Sequence, residues 1–118
     1  MLRKLQITIS AIIFLIVPVW SVKSSSPYIA LGTGANSCGT WTSETRTNVG
    51  IENKSWVLGF LTAYNLYGLS VSDNIAAGVN SAGLFAWIDN YCATHPLDDI
   101  TTALEGLIAE LKRKSGAH

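Results

Sequence analysis

The sequence predicts a small all-α fold, a bundle of about four helices with one disulfide, preceded by an N-terminal signal peptide. Apolar residues recur at helical spacing in several segments, and no segment of useful length alternates like a β-strand. The chain also contains two cysteines, and its 118 residues are enough for one domain. These features together favour a single compact helical bundle.

The first 26 residues have the composition of an export signal. Arg3 and Lys4 precede a short apolar run that is broken at Pro18 and followed by serines. A membrane span needs about 20 apolar residues, so we expect cleavage between residues 21 and 30 and no stable membrane insertion afterwards. An uncleaved anchor is the alternative. The remaining domain, residues 27–118, would then be periplasmic or secreted.

Loss of the leader leaves an acidic domain. The whole chain has a formal charge of zero, but residues 27–118 contain five basic and eight acidic side chains, a net charge of −3. This balance argues against a nucleic-acid partner. It is compatible with docking to a basic protein partner.

Cys38 and Cys92 are predicted to form a disulfide. An even number of cysteines in a small exported domain is typical of a covalent staple. A reactive thiol is the alternative and would need a basic neighbour. Neither cysteine is next to a lysine or arginine in the sequence.

The first predicted helix covers residues 38–46, with Ser37 as its N-cap. Trp41 lies on the same face as the first cysteine. Residues 31–37 are expected to form a flexible leader into this helix. Residues 47–53 are polar and are expected to form a loop.

The central helix is predicted over residues 54–67 and ends at Gly68. Its residues are apolar on most sides, which indicates burial. Gly59 within it costs about 1 kcal/mol of helix propensity relative to alanine. Close approach of another helix would explain that glycine.

Four aromatic residues of this helix share one face: Trp56, Phe60, Tyr64 and Tyr67. Two interpretations stay open. The row packs into the core, or it lines a partly exposed groove that binds a protein partner, since tryptophan and tyrosine are common interface anchors.

Two more helices complete the predicted bundle. Ser81 is expected to cap a helix over residues 82–93 whose inward stripe is Leu84, Phe85, Ile88, Tyr91 and Cys92. The last helix begins near Leu97 and carries an apolar stripe along its length. Acidic residues at its start and basic residues at its end match the helix dipole.

The sequence shows no constellation typical of an enzyme. Its two histidines, His95 and His118, are too few for a zinc site with three or four protein ligands, and no nucleophile has an evident general base. We therefore predict no catalytic residue, no metal and no cofactor.

Asp89, at the edge of a buried stripe, is expected to form a structural ion pair with Arg46. Catalysis by carboxylates such as Asp89 is the alternative.

Four segments resemble a group of small exported bacterial proteins. They are Cys-Gly-Thr-Trp at 38–41, Trp-Val-Leu-Gly-Phe-Leu at 56–61, Trp-Ile-Asp-Asn-Tyr-Cys at 87–92 and His-Pro-Leu-Asp at 95–98. The group includes the HdeA-type periplasmic acid chaperones and the Tai-type immunity proteins of type VI secretion. The resemblance implies an HdeA-like helical bundle in the periplasm that binds proteins and catalyses no reaction.

The favoured function is therefore an immunity-type protein that neutralises a secreted toxin. The alternative is an HdeA-like acid-stress chaperone whose partner is an unfolded client. The chain differs from that type in having few charged residues and no lysine-rich middle. A small hydrolase is the remaining hypothesis.

Overall fold

A computed structural model describes residues 28–68 and 74–116. Within these ranges the chain forms a short 3₁₀ helix (Gly32–Ala35) and four α-helices, with no β-strand, so the predicted all-α fold is confirmed. The α-helices, in chain order, are α1 (Cys38–Ser43), α2 (Asn48–Tyr67), α3 (Ser81–Thr94) and α4 (Ile100–Ser115). The predicted signal peptide lies outside the described residues. None of the helices described is long and apolar enough to cross a membrane.

The start of α1 and the end of α3 meet at the disulfide. Cys38 is the first residue of α1 and Cys92 lies in the last turn of α3, and their sulfur atoms are bonded, with the Cα atoms 4.8 Å apart. The predicted disulfide is therefore confirmed. It closes a sequence separation of 54 residues, for which chain entropy predicts a stabilisation of about 4 kcal/mol.

Backbone hydrogen bonds join the start of α1 to the start of α4. The amide of Cys38 donates to the carbonyl of Asp98 at 2.7 Å, and that of Gly39 donates to Pro96 at 3.0 Å. In return, the Ile100 amide donates to the Asn36 carbonyl at 2.9 Å. The first amides of a helix have no partner within the helix. Here the backbone that precedes each helix accepts hydrogen bonds from the first amides of the other helix. We call this region the α1–α4 junction.

Each α-helix begins at a side-chain N-cap that accepts a hydrogen bond from an amide two or three residues into the helix. The caps are Ser37, Thr47, Asn80 and Asp99. The cap predicted at Ser37 is confirmed, whereas α3 is capped one residue before the predicted Ser81. α4 starts after Asp99, which leaves Leu97 outside the helix and 95% exposed.

The prediction of a loop over residues 47–53 is wrong. The Thr47 side chain accepts from the Gly50 amide, and this cap starts α2 at Asn48. The helix can begin there because Gly50, which is buried, lies directly on the backbone of Glu44 and Thr45. A side chain at that position would overlap with the Glu44 carbonyl oxygen.

The prediction that α2 is buried on most sides is also wrong. Its fully buried residues are Gly50, Asn53, Val57 and Leu61, which form one narrow stripe. The opposite side of the helix faces solvent, and a Cβ atom built on Gly59 has no heavy atom within 4 Å. No helix among the described residues therefore makes the close approach expected at Gly59.

The core is built mainly on α4. Its buried residues, Ile100, Thr101, Ala103, Leu104, Leu107, Ile108 and Leu111, include the predicted apolar stripe apart from Leu97. The segment expected to be flexible before α1 is instead ordered as the 3₁₀ helix. Thr101 binds it through a hydrogen bond from Oγ1 to the Gly34 carbonyl at 2.9 Å.

Two glycines of α2 give a matched pair of stability predictions. We expect Gly50→Ala to lower the free energy of unfolding by about 1–3 kcal/mol, because the added methyl overlaps with backbone atoms that cannot move independently. Gly59→Ala should raise it by about 1 kcal/mol, because the position is open and alanine has the higher helix propensity. Urea unfolding at low protein concentration measures both. Equal effects of the two substitutions would contradict the assignment of α2's buried side.

Candidate functional site

The aromatic row predicted on α2 serves mainly in packing. Trp56, Phe60 and Tyr64 are partly buried against the core, and only Tyr67 is largely exposed, at 85%. The Trp56 ring lies against the 3₁₀ helix, and its indole N–H donates to the Leu31 carbonyl at 2.6 Å. The first three residues of the row therefore pack against the core, and the 3₁₀ helix contacts Trp56.

Asp89 has a different partner from the one predicted. The indole N–H of Trp41 donates to Asp89 Oδ1 at 2.6 Å. Arg46 is exposed, and the ion pairs among the described residues join Glu110 to Arg113 and Lys114. The Trp41 ring is only 2% exposed, so its N–H needs an acceptor within the protein. The hydrogen bond from Trp41 therefore takes the place of the predicted ion pair and gives Asp89 a structural role.

The Trp41–Asp89 hydrogen bond can be tested by substitution. We expect Asp89→Ala to lower the free energy of unfolding by about 1–2 kcal/mol, because the indole N–H loses its acceptor. Asp89→Asn retains a carbonyl oxygen and should cost less. Urea denaturation of the two variants and of an Arg46→Ala control measures the difference. An equal loss in Arg46→Ala and Asp89→Ala would instead support the ion pair.

A stack of three rings lies along the side of α3 that faces α4. Trp87 and Tyr91 have centroids 5.6 Å apart at 15°, and Tyr91 and His95 are 4.2 Å apart at 10°. The residues follow one another at intervals of four, so they share one helix face. Gly106 of α4 makes room for the stack, because a Cβ there would be 3.0 Å from the Trp87 ring.

Tyr91 connects this stack to the start of α4. Its hydroxyl donates to Asp98 Oδ2 at 2.6 Å. That hydrogen bond is the main reason why the pKa of Tyr91 rises from about 10 to about 12. Partial burial and the negative charges of Asp98, Asp99 and Glu105 raise the pKa of Tyr91 further.

Tyr28 lies beside the same acidic residues. Its hydroxyl donates to Glu105 Oε1 at 3.2 Å. Burial raises the pKa of Tyr28, as do the charges of Glu105 and Asp99. Asp98 and Asp99 directly precede α4, Glu105 lies on α4, and a Cβ on the next residue, Gly106, would be 3.7 Å from the Tyr91 ring. These side chains therefore lie close together near the start of α4. We call Tyr28, Tyr91, Asp98, Asp99 and Glu105 the tyrosine–carboxylate face.

Each carboxylate of this face accepts a hydrogen bond at one of its two oxygens. Asp98 and Glu105 each accept one tyrosine hydroxyl, and Asp99 Oδ1 accepts the Thr102 amide at 2.7 Å. In the part of the chain that the structure describes, the second oxygen of each carboxylate accepts no hydrogen bond, and no basic side chain pairs with it. Each acid therefore has an oxygen available to a donor from another molecule.

Exposed apolar side chains lie next to the face in the sequence. Leu97, which precedes Asp98, is 95% exposed, and Ile29, which follows Tyr28, is 87% exposed. Tyr28 itself is 48% exposed. Exposed apolar residues rimmed by polar groups are characteristic of interaction sites.

The described residues contain no group of three or more His, Cys, Asp or Glu side chains that could hold a metal ion. The ring nitrogen Nδ1 of His95 lies 2.9 Å from both the Tyr91 carbonyl and Thr94 Oγ1, so it is occupied locally. What the face offers chemically is hydrogen-bond acceptors, aromatic surface and negative charge. These suit recognition of a cationic partner.

Comparison of the chain with protein-family models, with curated proteins and with solved structures finds no match. The resemblance to HdeA-type and Tai-type proteins therefore stays a hypothesis based on the motif residues alone.

Sequence reasoning missed this face. It assigned Tyr91 to the inward stripe of α3, interpreted Asp98 and Asp99 as helix-starting residues, and gave Tyr28 and Glu105 no role. One local signal was available, because Tyr91 and Asp98 are only seven positions apart across the proline turn. The Tyr28–Glu105 contact spans 77 residues and has no comparable local signal.

The raised pKa of Tyr91 predicts a loss of stability at alkaline pH. The unfolded chain releases this proton near pH 10 and the folded chain near pH 12, so between these values the unfolded state binds fewer protons and is favoured as the pH rises. We expect Tyr91→Phe to abolish this part of the alkaline loss. Urea midpoints between about pH 10 and 12, with Tyr67→Phe as control, measure it. An identical pH slope in wild type and Tyr91→Phe would contradict the Tyr91–Asp98 interaction.

Proposed function

We propose that this domain is an exported, non-enzymatic module of the immunity type that neutralises a secreted toxin by binding it through the tyrosine–carboxylate face. The observation that carries the proposal is the set of three oriented carboxylates with free oxygens beside exposed apolar side chains. Export rests on the leader sequence and is part of the proposal.

The chemistry of the face indicates a basic partner. Negative charge on one protein steers and orients a positively charged surface on another. The hydrogen bonds from Tyr91, Tyr28 and the Thr102 amide hold the acids in place before binding, which reduces the entropy lost on association. Leu97 can enter an apolar depression of the partner and exclude water around the charges.

A rigid position for the face favours neutralisation over chaperoning. Tyr91 lies on α3, Glu105 lies on α4, and the turn between these helices holds Asp98 and Asp99. The end of α3 and the start of α4 are tied to α1 by the disulfide and by the α1–α4 junction. A chaperone activated by acid needs protonation to open its fold. Among the described residues, the ion pairs are confined to Glu110, which is on the surface of α4. Protonation of the acids would therefore break no buried ion pair there.

Affinity capture tests the proposal. The purified domain should capture one stoichiometric protein from a neutral extract of the producing cells. In calorimetry with that protein, the double variant Asp98→Asn, Glu105→Gln should raise Kd at least about tenfold, because two charges complementary to the partner are lost. The matched variant Glu44→Gln, Glu52→Gln removes the same charge elsewhere and should change Kd little.

Two results would contradict the proposal. One is a captured partner whose affinity responds equally to both double variants, which would move the binding site away from this face. The other is no partner at neutral pH together with dye-detected exposure of apolar surface and protection of an unfolding client near pH 2–3. That result would support the acid-stress chaperone instead.

A further inference from the structure

Residues 28–35 form a strap that lies on α2 and α4 before the first cysteine. The strap contains the 3₁₀ helix and contacts α2 at Trp56 and α4 at Thr101. The closed part of the fold begins directly after it, because the α1–α4 junction starts at Asn36 and the disulfide starts at Cys38. The strap can therefore separate from the domain without breaking the junction or the disulfide.

The strap is held mainly through its backbone. Gly34 is its buried residue, whereas the side chains of Ile29 and Leu31 are 87% and 77% exposed. The Leu31 carbonyl accepts the Trp56 indole N–H at 2.6 Å, and the Gly34 carbonyl accepts the Thr101 hydroxyl at 2.9 Å. Burial of apolar side chains therefore contributes little to holding the strap in place.

Two glycines of the strap fit against the Trp56 indole ring. A Cβ on Gly34 would overlap with atoms of the ring, and a Cβ on Gly32 would be 3.3 Å from Trp56 Cδ1. Gly32 also has a φ of +72°, which favours glycine. The contact therefore requires the pattern Gly-x-Gly, and it recognises the backbone carbonyls of Leu31 and Gly34 rather than side chains.

Two buried polar atoms at or beside the strap are left unpaired. Asn53 of α2 is fully buried, and its Oδ1 accepts the Asn36 side-chain amide at 3.1 Å. Its Nδ2 has no hydrogen-bond partner among the described residues, and the same holds for the buried Oγ1 of Thr33 in the strap. Unpaired buried groups destabilise the contact that buries them. We therefore expect the strap to open at a lower free energy than the rest of the domain.

We infer that Asn53, Trp56 and Thr101 form a peptide-binding site for a Gly-x-Gly segment, and that the chain's own strap occupies this site as an autoinhibitory contact. The three side chains offer an amide, an indole N–H and a hydroxyl to a peptide backbone. When the strap opens, a Gly-x-Gly segment of a partner protein enters and accepts the two hydrogen bonds that the strap carbonyls accept in the closed form. The site contains none of the three carboxylates of the proposed toxin-binding face.

A synthetic peptide of residues 28–37 tests the site, with the NMR signal of the Trp56 indole N–H in the purified protein as the readout. In Gly34→Val protein, the added side chain overlaps with the Trp56 ring and expels the strap. This variant should bind the peptide at least about tenfold more tightly than wild type, in which the strap competes. The matched variant Gly59→Ala, at an open position of α2, should bind like wild type.

A second peptide tests the requirement for glycine. The peptide that itself carries Gly34→Val should bind Gly34→Val protein at least about tenfold more weakly than the unchanged peptide, because its side chain meets the same ring. Gly32→Val protein gives an independent way to expel the strap, since valine is strained at a φ of +72°. Circular dichroism verifies the fold of each variant. Equal peptide binding by wild type and by both strap variants, or equal binding of the two peptides, would overturn the inference.

Hydrogen exchange of the wild-type protein tests opening of the strap without any substitution. The Asn36 amide donates to the Thr33 carbonyl within the strap, whereas the Cys38 amide donates to Asp98 in the α1–α4 junction. Relative to its intrinsic rate, the Asn36 amide should exchange at least about tenfold faster than the Cys38 amide. Equal protection of the two amides would mean that the strap leaves only when the whole domain unfolds, and would overturn the inference.

Discussion

The hydrogen bonds between the backbone before α1 and the backbone before α4 are the contact on which the rest of the described structure depends. The Cys38 and Gly39 amides donate to the Asp98 and Pro96 carbonyls, and the Ile100 amide donates back to Asn36. The same short region holds Cys38, which bonds the end of α3 through Cys92. The end of α3 is thereby held next to the starts of α1 and α4, whose first amides have backbone acceptors. The apolar stripe of α4 can then pack against both α3 and the 3₁₀ helix.

The tyrosine–carboxylate face is a direct consequence of that arrangement. Asp98 lies in the turn that the junction holds, so its backbone carbonyl accepts from Cys38 while its side chain accepts from Tyr91. Asp99, the next residue in the chain, caps α4. The acids that start the helix are therefore also the acids of the proposed binding surface. Binding groups that share their support with the core lose little freedom when a partner arrives.

The two sides of α2 have different surroundings. One side contributes Val57 and Leu61 to the core and lies on the backbone of Glu44 and Thr45 through Gly50. The other side is centred on Gly59 and nearly free of charge. The tyrosine–carboxylate face is built without α2.

The sequence by itself determined the features that depend on neighbouring residues. The stripe on α4, the cap at Ser37 and the number of helices follow from helical periodicity and local hydrogen bonding, and the even cysteine count of a small domain behind a predicted signal peptide indicated the disulfide. Of the candidate site, composition predicted only an acidic surface suited to a basic partner. The tertiary structure decided where α2 begins, that the segment before α1 is a 3₁₀ helix, that Asp89 serves Trp41, and that Tyr28 reaches Glu105. The start of α2 depends on the close contact of Gly50 with the backbone of Glu44 and Thr45. The other three features depend on contacts between residues distant in the chain. Contacts of both kinds are selected by position in the folded protein and leave no periodic pattern in the sequence.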